Sequence, residues 1–143
     1  DMAISMLLAD DSLDYVSNSL QSSYPEGLDV EVVRAVALLE ADAEATLPFE
    51  REHVTPFIWQ RPERSRLAHL IAPRDLGSWR WTLDNDDDFR FLEALLTAMP
   101  SSADWYAYEH VVEFLESKPD LLGMMPRQPR SVDKVRQQKG EQP

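Results

Sequence analysis

The stretch Trp79–Leu96, WRWTLDNDDDFRFLEALL, sets the reading of the fold. It opens as a short apolar and aromatic run from Trp79 to Leu83. It turns at Asp84-Asn85-Asp86-Asp87-Asp88, and Phe89, Leu92, Leu95 and Leu96 then recur at helical spacing. This pattern predicts a strand that delivers a carboxylate to a helix N-terminus. In α/β proteins ligands bind just beyond the carboxyl ends of strands, which makes Asp84 a candidate site residue. The same position suits a helix cap, where aspartate satisfies free N–H groups and complements the helix dipole. Spacing alone leaves both roles open. Asp86, Asp87 and Asp88 read as a solvated first turn.

Working outward, residues 2–10 read as a helix with Ile4, Leu7 and Leu8 on one face and Asp1 as its cap. Tyr15-Val16 lead a short strand ending at Ser17-Asn18. Tyr24-Pro25-Glu26-Gly27 carries turn chemistry. Leu28–Val33 alternates: Leu28, Val30 and Val32 face one way, Asp29 and Glu31 the other. A helix is expected over about 34–45 with Val36, Leu38 and Leu39 as its apolar positions. Another is expected over residues 50–60, EREHVTPFIWQ, with Pro56 at a kink. Arg66–Ile71 reads as an edge strand stopped by Pro73. The helix begun after Asp84 runs to about Met99. Asp104 then caps a helix over Trp105–Ser117, which carries Val111, Val112, Phe114 and Leu115, and Leu121–Met125 is a short apolar coda. From Pro126 the chain is polar, basic and Gln-rich, so residues 126–143 are expected to be a disordered basic tail.

Strands alternating with helices predict an α/β fold over residues 1–125. The strands are few and short, as if they belonged to a sheet whose centre lies elsewhere. A first residue of Asp rather than Met carries the expectation that the chain was processed or cut from something longer.

At 143 residues the chain is one domain or part of one, and 43% hydrophobic residues suffice for a core. No run reaches the ~18 apolar residues of a membrane helix, and no basic-flanked apolar leader is present. Zero Cys excludes disulfides and thiolate metal sites and fits a cytoplasmic protein. The net charge is −12, unevenly placed. Residues 127–143 carry Arg127, Arg130, Lys134, Arg136 and Lys139 against Asp133 and Glu141. The first 126 residues hold 9 basic against 24 acidic residues, a net −15. Such a body repels phosphate backbones, which argues against a nucleic-acid partner. A nucleotide held through a divalent cation remains compatible with it.

Among candidate sites, the Asp84–Asp88 run is not a calcium loop. An EF-hand begun at Asp84 needs glycine where Phe89 stands and glutamate where Leu95 stands. A Mg²⁺ role for Asp84 alone is compatible, because Mg²⁺ takes one or two carboxylates plus substrate phosphates. Asp29 and Glu31 share a strand face with Cα atoms ~6.5 Å apart. They can serve as a glycosidase-like acid pair or form the wet side of a one-sided strand. Gly27 before them permits positive φ or close approach of a ligand. His53 can be a base, a phosphate donor or a structural residue; His69 and His110 receive no role. No P-loop, dinucleotide fingerprint, G-x-S-x-G or H-E-x-x-H is present.

Three segments taken together resemble one family. They are Asp14–Asn18 with Tyr24–Val32, then Glu50–Ile58 (EREHVTPFI), then Arg80–Asp84 followed by Asp87-Asp88-Phe89. In this order they resemble the C-terminal half of the spore-coat polysaccharide biosynthesis type of cytidylyltransferase, a family similar to the synthetases of CMP-activated KDO and sialic acids. The resemblance spans residues 1 to about 125. It implies a partial nucleotidyltransferase fold, Rossmann-like and of the nucleotide-diphospho-sugar transferase kind, lacking its N-terminal nucleotide-binding half. It implies a reaction in which a sugar hydroxyl or phosphate attacks the α-phosphate of CTP, with Mg²⁺ assisting and pyrophosphate leaving, for polysaccharide or glycan biosynthesis. Asp84 then matches a metal aspartate, sharing Mg²⁺ with an aspartate absent from this chain. Asn85 and Asp86 depart from the family's commoner Thr/Glu-Pro. Gly27, Asp29 and Glu31 match the sugar side of the pocket, supported by Arg51 and His53. The implied partners are CTP, a sugar, and the missing half or a second copy. No turnover is expected from the chain alone. A non-catalytic interaction role stands as the alternative, since half a sheet leaves an edge open to pairing.

Overall fold

The computed structural model describes residues 1–101 and 106–140. It divides into two compact units: Asp1–Ser78 joined by the segment from Pro129, and Trp79–Gln128. The expected cap at Asp104 and the start of the helix expected over 105–117 lie outside the described residues.

In the first unit, β1 (Tyr15–Ser17) lies between β2 (Glu31–Val33) and β3 (Leu67–His69). It pairs antiparallel with β2 and parallel with β3. The register sorts the side chains into two layers. Tyr15 stands level with Val33 and Leu67, and all three join a core with Ala37, Ala41, Phe57 and Ile58. Val16 stands level with Val32 and Ala68, and these join a second core with Ala3 and Leu7. Helices therefore cover both sheet faces: α1 (Met2–Ala9) on one, α2 (Ala35–Glu44) and α4 (Pro56–Trp59) on the other. β1 is buried along its whole length, as a central strand with two covered faces must be. The α1 start agrees with the sequence reading, but its buried face does not: Ala3 and Leu7 are buried while Ile4 and Leu8, expected beside Leu7, are exposed, and Asp1 makes no side-chain cap bond. The other end of α1 is held by Arg34, whose Nη2 donates to Leu7 O at 2.8 Å and whose Nε donates to Leu13 O at 3.0 Å. Unpaired carbonyls at a helix C-terminus favour such a cation.

The apolar face expected for α2 is reversed. Ala37 and Ala41 are buried, while Val36, Leu38 and Leu39 are exposed. Small residues at i and i+4 let the helix lie close over Tyr15. The helix expected over residues 50–60 is two short ones, α3 (Pro48–His53) and α4, broken at Val54. The tail expected to be disordered instead contains α8 (Ser131–Gly140), with Val135 buried. Its composition is polar because one face carries charge. Val132 and Val135, at i and i+3, suffice to dock it.

In the second unit, α5 (Asp86–Ala98) and α6 (Tyr108–Glu116) build a core from Phe91, Leu95, Met99, Val111 and Leu115, flanked by Trp79, Trp81 and α7 (Pro119–Gly123). Trp79–Leu83 is not a strand. It makes a single isolated bridge at Arg80, whose N–H donates to Met125 Sδ at 3.2 Å, and just after it Asp84 N donates to the Asp88 carboxylate at 3.0 Å. The buried stripe of α5 is Asp88, Phe91 and Leu95, not the expected series through Phe89 and Leu96, which are exposed.

Asp88 is the reason for that rotation. Expected in solvent, it is 1% exposed. It takes a two-pronged bond from Arg80, with Nε to Oδ1 at 2.9 Å and Nη2 to Oδ2 at 2.8 Å. Arg80 is itself only 3% exposed. Asn85 and Thr82 donate to the same carboxylate. The Arg80 hydrogen bond is the main cause that holds the Asp88 carboxyl below its ordinary 3.8, against desolvation. Removing one partner of a buried pair strands the other charge. Asp88→Ala is therefore expected to cost about 3–5 kcal/mol in urea denaturation. Because the folded-state value is depressed, this stabilisation is complete above about 3.8 and is lost as pH falls toward the lower folded value. An acid titration of Trp fluorescence should show that loss in the parent chain and not in the variant.

Candidate functional site

An open cleft of about 460 Å³ lies in the first unit. Asp29, Glu31 and His53, three of the expected sugar-side residues, line it together. So do Ser19, Glu26, Trp59 and Arg130, which the sequence reading did not single out.

Each wall has a local cause. Beyond Ser17 the pairing with the 28–30 segment is continued by Asn18, whose N donates to Val30 O at 3.3 Å and whose side chain adds two bonds. Asn18 Nδ2 donates to Leu28 O at 2.8 Å, and its Oδ1 accepts from Val30 N at 2.7 Å. This amide holds the segment that carries Asp29. The turn before it needs Gly27, whose φ of 104° lies in a region that disfavours side chains. Gly27 N donates to Asp29 Oδ2 at 3.2 Å, and Arg130 Nη2 donates to Asp29 Oδ1 at 2.7 Å. Glu31 follows on β2, where its Oε1 accepts from the Tyr15 hydroxyl at 2.8 Å. The Tyr15 phenol is pushed well above its ordinary range, first by burial and then by the Glu31 charge.

The His53 side is set by a γ-turn. Thr55 N donates to His53 O at 2.8 Å across Val54, which has φ 66° and ψ −64°. The turn ends α3 and starts α4 at Pro56, leaving His53, Thr55 and Trp59 along the cleft. Arg51 is not among the lining residues. Its Nη1 donates to the Asp42 carbonyl at 2.8 Å and to the Asp42 carboxylate at 3.0 Å. The buried acid of this segment is Glu50, paired with Arg61 at 2.7 Å. Arg61 also lies 4.0 Å over the Phe57 ring.

Asp84 belongs to the second unit. It does not cap α5. Asn85 does, its side chain accepting from Asp87 N and Asp88 N. Asp84 Oδ2 accepts from Arg80 Nη2 at 2.8 Å, and its side chain is 62% exposed. No group of three or more candidate metal ligands occurs among the described residues.

No protein-family model matches the chain. It is 30% identical over 117 residues to an uncharacterized protein of Methanocaldococcus jannaschii, covering 80% of this chain and 46% of that one. Its structure matches that of a cytidylyltransferase from Leptospira borgpetersenii with a TM-score of 0.76 at 23% identity, over 85% of this chain and 50% of the other. The fold is shared with a cytidylyltransferase. The mixed α/β architecture expected from the sequence is thus found, and the chain spans about half the length of the relatives it matches. Among the described residues no helix is long and apolar enough to cross a membrane.

Two measurements check this geometry. A β-branched residue at positive φ is strained, so Val54→Gly is expected to raise stability by about 1 kcal/mol in chemical denaturation. An ordinary unstrained turn would make glycine neutral or destabilising. In an ultraviolet titration, one tyrosine should ionise late, and Tyr15→Phe should remove that late phase. Since its folded-state value is raised above 10.0, the stabilisation from neutral Tyr15 is present below 10 and lost as pH rises beyond it.

Proposed function

We propose that this chain is the sugar-side portion of a nucleotidyltransferase that activates a sugar with CTP, forming a CMP-sugar for surface polysaccharide or glycan biosynthesis. The observation that carries this reading is the cleft gathering Asp29, Glu31 and His53, within a fold shared with a cytidylyltransferase. Carboxylate oxygens accept from sugar hydroxyls, and Trp59 offers an apolar face to a ring. In the proposed reaction a sugar oxygen bonds to the α-phosphorus of CTP while the bond from that phosphorus to the leaving pyrophosphate breaks. No triphosphate-binding glycine and arginine loop of the kind the resemblance implies occurs in this sequence, so no turnover is expected from these residues alone.

Asp84 fits the magnesium ligand that the resemblance implies. Its carboxylate is largely exposed and only Oδ2 is engaged by Arg80. Arg80 is shared with Asp88, so the three charges sum to −1 and do not repel a cation. Magnesium, when bound, neutralises phosphate charge. The resemblance assigns the second aspartate of the pair to the family's N-terminal half.

A second reading, a non-catalytic interaction module, is favoured by apolar side chains left exposed on two helices: Met2, Ile4 and Leu8 on α1, and Val36 and Leu39 on α2. The glycosidase-like reading gains nothing. A general acid is usually held against apolar surroundings, whereas Asp29 and Glu31 are both exposed.

The test is a longer protein that joins this chain to a nucleotide-binding half, assayed for CTP- and Mg²⁺-dependent pyrophosphate release over a panel of sugars. Release is expected, and Asp84→Asn should lower it by about 100-fold or more. Absence of release with every sugar, or full activity in Asp84→Asn, counts against the enzyme and the metal role respectively.

A further inference from the structure

The segment after Pro129 carries no expected role, yet it closes one side of the cleft. Arg130 Nη1 donates to Tyr24 O at 3.1 Å and to Gly77 O at 3.0 Å, while Nη2 donates to Asp29 Oδ1 at 2.7 Å. One guanidinium thus ties its own segment to two others distant in sequence, residues 24–29 and Gly77. Gly77 makes the junction possible, because a Cβ there would lie 2.3 Å from the Ser22 carbonyl oxygen. Only glycine lets these two backbone stretches approach so closely. The next residue extends the seam, with Ser131 N donating to Glu26 Oε1 at 2.7 Å at the start of α8. Glu26 is 3% exposed. Val132 and Val135 line the cleft, and Arg136 Nη2 donates to Leu20 O at 2.9 Å.

We propose that Arg130–Val135 is a wall of the sugar cleft and that Arg130 is a positioning residue, fixing the Asp29 carboxylate for substrate. This rests on the sugar-binding reading of the cleft. Asp29 sits in an exposed segment before β2, and its carboxylate is gripped from both oxygens, by Arg130 on Oδ1 and by Gly27 N on Oδ2. A carboxylate oxygen has two acceptor positions, so each keeps one for a sugar hydroxyl. Arg130 cannot swing away easily, because two backbone carbonyls hold the other arm of its planar fork. Without it, Glu26, Asp29 and Glu31 share the cleft with no arginine between them, and Asp29 loses its fixed plane.

The test uses the full chain and two measurements. Hydrogen exchange by mass spectrometry follows residues 24–30 and 131–136. Saturation-transfer NMR follows binding of D-glucosamine, N-acetyl-D-glucosamine and N-acetylneuraminic acid. In Arg130→Met, exchange in both segments is expected to rise together, and affinity for whichever sugar binds the parent should fall about tenfold or more. Arg130→Lys keeps the charge but cannot span three acceptors, so it should fall between the two. It also serves if the Met variant fails to fold, as judged by circular dichroism. Parent-like sugar affinity in either folded variant, or unchanged exchange in residues 24–30, overturns the positioning role. If the parent binds none of the three sugars, the sugar reading of the cleft fails. Exchange alone then decides whether Arg130 couples the wall to the Asp29 segment.

Discussion

A three-residue strand covered on both faces is the constraint on which the first unit depends. β1 offers Tyr15 to one helix layer and Val16 to the other, and both are wholly buried. A strand so short cannot specify its own register by length. Register comes instead from the side chains that must match across it, Val33 and Leu67 with Tyr15, and Val32 and Ala68 with Val16. A slip of one residue would exchange the two layers and put the Tyr15 hydroxyl in the α1 core. The cleft inherits this register. Glu31 stands two pairs beyond Tyr15 and Val33, and so on the same layer, where the phenol reaches it at 2.8 Å.

Arginine then decides what each acidic residue becomes. The chain carries 26 Asp and Glu against 14 Lys and Arg, so cations are scarce and their placement is selective. Arg80 draws Asp88 into the interior and leaves Asp84 half-engaged at the surface. Arg61 buries Glu50, and Arg130 fixes Asp29 in the cleft. Arg80–Asp88 and Arg130–Asp29 differ in consequence. The first is dry and locks a helix rotation; the second is partly open and holds an acceptor in place.

The layered part of the fold was legible because its signals are periodic or punctuating. The span of the α1 helix (though not its buried face), the Tyr15 strand, the Leu67 edge strand and the new helix begun at Pro56 all follow from alternation, helical spacing or Pro chemistry. What escaped were contacts that join distant segments. Helix faces in α2 and α5 were misread because hydrophobicity alone weighs Leu39 above Ala37 and Phe89 above Asp88. Packing distance over Tyr15 decided the first, and the partner of Asp88 decided the second. In the cleft, Asp29, Glu31 and His53 could be named from strand spacing and a resemblance. Arg130 could not, since a basic residue in a polar tail carries no local sign of the carbonyls it will bind 53 and 106 positions earlier.

Asp84 shows how the same physics separates two roles that spacing could not. An aspartate between an extended run and a helix can cap or can coordinate. Here the cap falls to Asn85, whose neutral amide oxygen takes two backbone N–H groups. Asp88, one turn later, takes the Asp84 amide through its carboxylate. With both local duties filled by neighbours, the Asp84 carboxylate is not needed to start the helix. Its remaining bond, to Arg80, leaves one oxygen outward at a surface that Asp86 and Asp87 also make negative. A side chain released from capping and kept exposed by its own neighbours is available for a ligand. That availability makes the proposed magnesium contact physically open.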